Sequence, residues 1–582
     1  MRKFVIHSLF AAVLAVTVTT TAACNQGDPN ALETHVKKLD DAEARAEAFK
    51  QLERIVSGIA TDPEDTRRQE FAEKVLPKFE ELYSEDEVAP YREQMLNMAM
   101  AMKRPEAVGM WNKALELDGS AEGHKQALLA LQGIRESKAE AAAETIIAQF
   151  TKLTESPGKD MGEGQEGALR YEMARTLGEL KAKAAVGPLI TALEQPEENQ
   201  PKVVYKAAID ALGQIGDPEA VSVLISVQFS VADAPGTQSI GERAVRALGA
   251  IGEPAVPKLV ETMEGKNTKV NELAAEKDVP VQVVQQSAVR ILGVIGSSKA
   301  TEALIAYMPQ KDCGGDEEVD VAALEESEEG FDQSAAVGLR AFSANSMGFI
   351  GDPAAVPALC HCRNATHNPG DLWEIISALG RIGGDEAFAC MEKIMATGFY
   401  DPEEAVNSDF KYQVRWEGAR WMILAAPPAK AAAAKAAIDT NEANVKAEIE
   451  KLGWATGLAV LESCKEDVAC YEKILMDSSK GWFEREVAAF NFARMSKPGD
   501  IEAAAKLAKA FKTRDPEARI NIAWLSARVA GTTPCPECSD ALESVMSAEE
   551  LTKDANMQGA WLTARQAMAK MTSGGSGSGG GE

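Results

Sequence analysis

Apolar residues recur at helical spacing through most of this chain, and the apolar runs come in pairs. Between residues 204 and 225, Val204, Ala208, Ala211 and Leu212 fall at i, i+4, i+7 and i+8, which is one face of a helix. Gly216 follows where a helix would stop, because glycine takes the left-handed C-terminal position at little cost. Asp217 is placed to cap a second helix and Pro218 to occupy its first turn, where no N–H is missed. Val221, Leu224 and Ile225 give that second helix its own stripe. The predicted unit is therefore helix, turn, helix. No sustained alternation of β-branched residues competes with it.

The unit repeats. It reads Leu212-Gly213-Gln214-Ile215-Gly216-Asp217-Pro218 in one copy and Met347-Gly348-Phe349-Ile350-Gly351-Asp352-Pro353 in another. The first glycines fall at Gly178, Gly213, Gly249, Gly293, Gly348 and Gly380, at intervals of 35, 36, 44, 55 and 32 residues. Units of this length cannot bury a core alone and must stack on their neighbours. The expected fold is all-α, an α-solenoid of stacked helical hairpins. A solenoid grows in one direction, so 582 residues need not divide into several globular domains. About a dozen hairpins at usual helix spacings would reach on the order of 100 Å. The signature glycines, aspartates and prolines read as turning and capping residues, not as chemistry.

This pattern resembles the HEAT repeat, and specifically the HEAT-like repeats of phycobiliprotein lyases. The remaining copies carry the resemblance: Leu177-Gly178-Glu179-Leu180, Leu248-Gly249-Ala250-Ile251-Gly252-Glu253-Pro254, Leu292-Gly293-Val294-Ile295-Gly296 and Leu379-Gly380-Arg381-Ile382-Gly383. The copy at Gly178 lacks the second glycine. The resemblance implies a right-handed superhelix and, for most such families, an interaction scaffold; a minority are lyases or hydroxylases. The expected layout is a divergent helical region over 31–166, HEAT-like repeats over 167–400 with an acidic insertion at 311–332, and divergent helical repeats over 401–572. A Gly/Ser tail, 573–582, is expected to be disordered.

The first residues change the picture of compartment. Met1-Arg2-Lys3 is a basic head and Phe4 to Val18 a short apolar stretch. Thr21-Ala22-Ala23-Cys24 closes it with small residues. Residues 1–23 read as a secretory signal, too short and wrongly flanked for a spanning helix. Ending at Cys24, the segment resembles a bacterial lipoprotein signal, with Thr21 standing where leucine is usual. That resemblance implies lipidation of Cys24, with 24–30 as the tether; ordinary cleavage after Ala23 is the competing reading. Asn25 is not the aspartate of inner-membrane retention, which points to the outer membrane.

Charge excludes one class of partner. The formal net charge is −28, and loss of Arg2 and Lys3 with the signal takes it to −30. Such a surface repels nucleic acid and anionic lipid. A protein with a basic patch suits it better, with the membrane reached only through the lipid anchor. The acidic run from Asp316 to Asp332 reads as a solvated loop.

Nine cysteines fit export. With Cys24 lipidated, Cys313, Cys360, Cys362, Cys390, Cys464, Cys470, Cys535 and Cys538 remain, an even number suited to disulfides in an oxidising compartment. Cys464 and Cys470 flank the turn Lys465-Glu466-Asp467, where a bridge would staple one hairpin. Cys535 and Cys538 form a C-x-x-C at a helix turn, without the βαβ context of a redox motif. Aligning Ile350 with Ile382 places Cys362 about one turn beyond Cys390, so a bridge between neighbouring repeats is open, with Cys313 reaching the remaining thiol. The alternative is a metal site at Cys360, His361, Cys362 and His367, whose ligand types suit zinc or copper. A Gly162-Glu163-Gly164-Gln165-Glu166-Gly167 string reads as a loop, since no strand precedes it and its glutamates would repel a pyrophosphate. Walker A, H-E-x-x-H and G-x-S-x-G motifs do not occur. The expectation is a scaffold without cofactor; a metal- or thiol-dependent envelope enzyme is the alternative.

Overall fold

The computed structural model describes residues 31–116, 120–156, 163–196, 200–230, 240–310, 313, 333–364, 369–397, 408–439, 446–447, 450–451, 453–511, 516–531, 533–546, 564 and 567–568. Among them every regular element is helical. The six signature copies supply six first helices: α1 (Glu163–Glu179), α2 (Lys202–Ile215), α3 (Ile240–Ile251), α4 (Val281–Ile295), α5 (Gln333–Ile350) and α6 (Pro369–Ile382). Each packs on the next, and the row continues into α7 (Ser408–Ala425), α8 (Trp482–Met495) and α9 (Pro516–Ala530). Short second helices, such as Val256–Met263 and Val356–His361, fill the other layer. One apolar core runs along the array, as a solenoid requires.

The turns are built as their residues dictate. Gly216 ends α2 with φ of 77°, and its N–H bonds Leu212 O at 3.0 Å. Asp217 Oδ1 accepts from the Glu219 N–H at 3.0 Å, and Asp352 Oδ1 from the Ala354 N–H at 3.0 Å. A short 3₁₀ turn then leads into each second helix. Asp352→Ala is expected to cost about 1 kcal/mol, the usual worth of an N-cap, read from the urea midpoint.

The copy without a second glycine uses lysine in the same place. Lys181 has φ of 50°, and the Ala182 N–H closes on Leu177 O at 3.0 Å. Lys103 and Lys138 repeat this at φ of 50° and 53°, ending the helices Arg92–Met102 and Ala121–Ser137. The N-terminal flank is thus the same unit with lysine at the helix stop. A left-handed lysine is strained by its Cβ, so Lys138→Gly is expected to raise stability by roughly 0.5–1 kcal/mol in denaturant melts.

The first signature glycine does something other than turn the chain. Gly213 lies inside α2 and is buried. A Cβ there would come 2.8 Å from Ala247 Cα on α3. Equivalent Cβ atoms at Gly178, Gly293 and Gly348 would meet Ala211, Ser346 and Ala378 Cα atoms at 2.7, 2.9 and 2.7 Å. These partners stand two residues before the next signature glycine, so a small residue faces each glycine and consecutive first helices approach backbone to backbone. A glycine costs a helix interior about 1 kcal/mol against alanine; the close approach offsets that cost. The exception is consistent: at Gly249 the matching position is Ile291, and the neighbour met is Val294 Cγ1 at 3.1 Å. Gly213→Ala should therefore destabilise by about 1–3 kcal/mol through overpacking, against its helix propensity; a gain in melting temperature would refute the packing role.

Three features depart from the expectations. The 44-residue interval holds an additional helix, Thr268–Glu276, seated through buried Val270 and Ala274. From Glu163 onward the G-x-G-x-x-G string is the start of α1, not a loop; buried Glu166 pairs with Arg170 one turn on, at 3.3 Å, which favours the helix. Finally, α9 returns to α5 and α6. The Trp524 Nε1–H donates to Phe349 O at 2.8 Å across 175 residues, and Arg528 Nη2 to Gly351 O at 3.4 Å across 177.

Candidate interaction surface and cysteine cluster

The first helices present one stripe outward. In α2, Val203, Lys206, Asp210 and Gln214 are exposed or half-buried and spaced by helical turns. The last of these is the spacer between the two signature glycines. In later copies the spacer is Ala250, Val294, Phe349 and Arg381. Phe349 and Arg381 are where α9 docks. Trp524 meets the Phe349 ring edge-on at 6.3 Å between centroids. The Arg381 guanidinium lies 4.3 Å from the Phe349 ring centroid and 5.0 Å from that of Trp421, while its Nε donates to Asn521 Oδ1 at 3.3 Å. These are cation–π distances. Asn521, Trp524 and Arg528 fall at i, i+3 and i+7 of α9, the anchor spacing of a helix lying in a groove.

Arginines satisfy helix C-termini here. Arg494 reaches the carbonyls of Leu424, Ala425 and Ala426 at 3.2, 3.2 and 3.3 Å, groups that the end of α7 leaves without intrahelical partners. Burial pulls the Arg494 guanidinium below the ordinary arginine range, yet carbonyl acceptors suit its charged form. Beside it, Arg420 bonds Glu486 at 2.6 Å and Glu417 at 2.8 Å, and Asn521 donates to Glu486 at 2.8 Å.

The cysteines occupy two settings. Cys360 is bonded to Cys390 on the following second helix, and Cys362 to Cys313. Cys464 is bonded to Cys470 across the turn that Asp467 caps, and Cys535 to Cys538 at the start of the helix Pro536–Met546. Cys535 and Cys538 are fully buried. Bonded in this way, the Cys360 and Cys362 sulfurs are not thiolate donors. His361 is exposed, and His367 lies outside the described residues. Among the described residues no group of three or more His, Cys, Asp or Glu is placed to hold a metal ion. A buried ion pair sits against the Cys313–Cys362 bridge: Arg340 Nε donates to Asp371 Oδ2 at 2.7 Å, with both side chains fully enclosed, and Arg340 Nη1 donates to Pro309 O at 3.2 Å.

The signal over 1–23, the tether with Cys24, the tail 573–582 and the acidic insertion apart from Cys313 lie outside the described residues. No helix among the described residues is long and apolar enough to cross a membrane. The outward stripe was not among the sequence candidates. Its signal was the spacer position, which changes from Glu179 and Gln214 to Phe349 and Arg381 where the chain covers it.

The family described as HEAT repeats matches residues 163–228, which span α1, α2 and their second helices. No curated protein matches the chain. Among solved structures, human deoxyhypusine hydroxylase in complex with glycerol is 18% identical over 55% of this chain and 96% of its own, with a TM-score of 0.19. An engineered protein is 16% identical, covering 79% of this chain and 97% of its own, with a TM-score of 0.30. The karyopherin Kap121p, bound to the extreme C-terminus of the protein phosphatase Cdc14p, is 11% identical, covering 93% and 66%, with a TM-score of 0.23.

Proposed function

We propose that this HEAT-like α-solenoid is an exported, lipid-anchored scaffold of the bacterial envelope that holds another protein. The observation that carries the reading is the row of first helices. It buries one core continuously, exposes a regular stripe over four repeats, and already binds a helix on that stripe where α9 docks. Export rests on the basic head, short apolar stretch and small residues before Cys24, with Cys24 as the lipidated residue and the outer membrane as destination. The net charge of −28 suits partners with basic patches over most of the surface. The division at 31–166, 167–400 and 401–572 belongs to the same reading, as does solvation of the acidic insertion.

Labelled palmitate supplied to cells should enter the wild-type chain and not Cys24→Ala; equal labelling would overturn the anchor. Affinity purification from detergent-solubilised envelope should recover one partner at stoichiometric level, and recovery of none would overturn the scaffold. Metal analysis with thiol titration separates the scaffold from an enzyme using Cys360, His361, Cys362 and His367: bound zinc or copper with free thiols would favour the enzyme.

A further inference from the structure

The outward stripe is covered by α9 only at its far end. The covering helix meets half-buried Phe349 and buried Arg381, while Gln214 is exposed and Ala250 and Val294 are half-buried. Large apolar side chains line the same run. Val203 is 47% exposed on α2, Val283 43% on α4 and Phe342 41% on α5. Val203 and Val283 hold the same position, ten residues before their signature glycines, and Phe342 lies one turn further along its helix. The run is also cationic in an acidic molecule. Arg290 is exposed on α4, and Arg243 and Arg246 on α3 and Lys206 on α2 are half-buried, beside the half-buried carboxylates Asp210 and Glu242. Asp210 is ion-paired to Arg243 across the α2–α3 contact. Most of the chain's charge is of the opposite sign, with 89 acidic against 61 basic residues.

We propose that the outward stripe of α2 to α5 is a docking groove for an acidic amphipathic helix of a partner protein. The inference rests on the scaffold reading and deepens it. Continuity supplies the helical form: the stripe already takes α9 through anchors at i, i+3 and i+7, and the uncovered part is the same row of positions. Charge complementarity supplies the sign, since arginines beside apolar anchors pair with carboxylates flanking a buried apolar face. Arginines and aromatics are also among the residue types that dominate binding energy. Nucleic acid fits less well, because Val203, Val283 and Phe342 offer nothing to phosphates and the molecule as a whole repels a polyanion.

The test uses the full chain and a fluorescein-labelled synthetic helical peptide with Trp and Leu at i, i+3 and i+7 and Glu on both flanks. Fluorescence anisotropy should show saturable binding. The double variant Arg246→Glu/Arg290→Glu and the variant Phe342→Ser should each weaken it by about tenfold or more, with circular dichroism melts confirming an intact fold. Lys299→Glu, exposed beyond the stripe, should leave the dissociation constant unchanged. The proposal is overturned by absence of saturable binding, or by equal binding to both stripe variants. It is also overturned by equally tight binding of a polyglutamate peptide lacking apolar residues, or of single-stranded DNA. Self-association lost in the stripe variants would make the occupant a second copy and overturn the proposal too. A stoichiometric partner from the envelope that still binds Arg246→Glu/Arg290→Glu would leave the scaffold standing and sink this surface alone.

Discussion

Asp371→Ala is expected to cost about 3–5 kcal/mol of unfolding free energy, the range for breaking a buried ion pair from one side. Arg340 and Asp371 join α5 to α6 with no solvent at either side chain. Deleting the carboxylate leaves a guanidinium enclosed between the two helices, with Pro309 O and the Cys313 sulfur, at 3.9 Å, among its remaining neighbours. The loss should be read as a fall in urea midpoint at constant m-value. The double variant Arg340→Met/Asp371→Leu should recover most of it, because well-packed apolar residues often replace a buried pair without loss. A double variant as unstable as Asp371→Ala would show that the pair contributes more than its own desolvation.

The second large effect concerns the bridges, and here loop length sets the order. Removing Cys313–Cys362, which closes 49 residues, should cost about 4 kcal/mol in the chain-entropy treatment. Removing Cys360–Cys390, across 30 residues, should cost about 3.5 kcal/mol. The bridges across six and three residues should matter less. Paired Cys→Ser variants compared by urea unfolding without reductant test that order. Equal losses at all four bridges would overturn the entropic account. Loss of Cys313–Cys362 and Asp371→Ala should not add, since both act on Arg340 and its surroundings.

Much of the fold was legible because its causes are local. The helix stop at Gly216, the caps at Asp217 and Asp352 and the second-helix stripe from Val221 depend on residues within a turn of one another. The C-terminal segments after Ser408 were legible as helices for the same reason. The candidate site was legible only in fragments. Cysteine spacing pointed to the hairpin bridge at Cys464 and Cys470 and left the pairing of Cys313, Cys360, Cys362 and Cys390 to alignment between repeats. It said nothing of Arg340 and Asp371, which lie 31 residues apart.

By itself, then, the sequence determined the unit, its period and its turns, because helix periodicity, capping and a left-handed glycine are properties of neighbouring residues. Tertiary structure decided the rest. It made the first signature glycine a packing residue, since what a Cβ at Gly213 would strike is Ala247 on another helix. It brought Trp524 to Phe349 across 175 residues and so covered one end of the outward stripe. Which spacer residues meet another part of the chain follows from that return, and no local pattern encodes it.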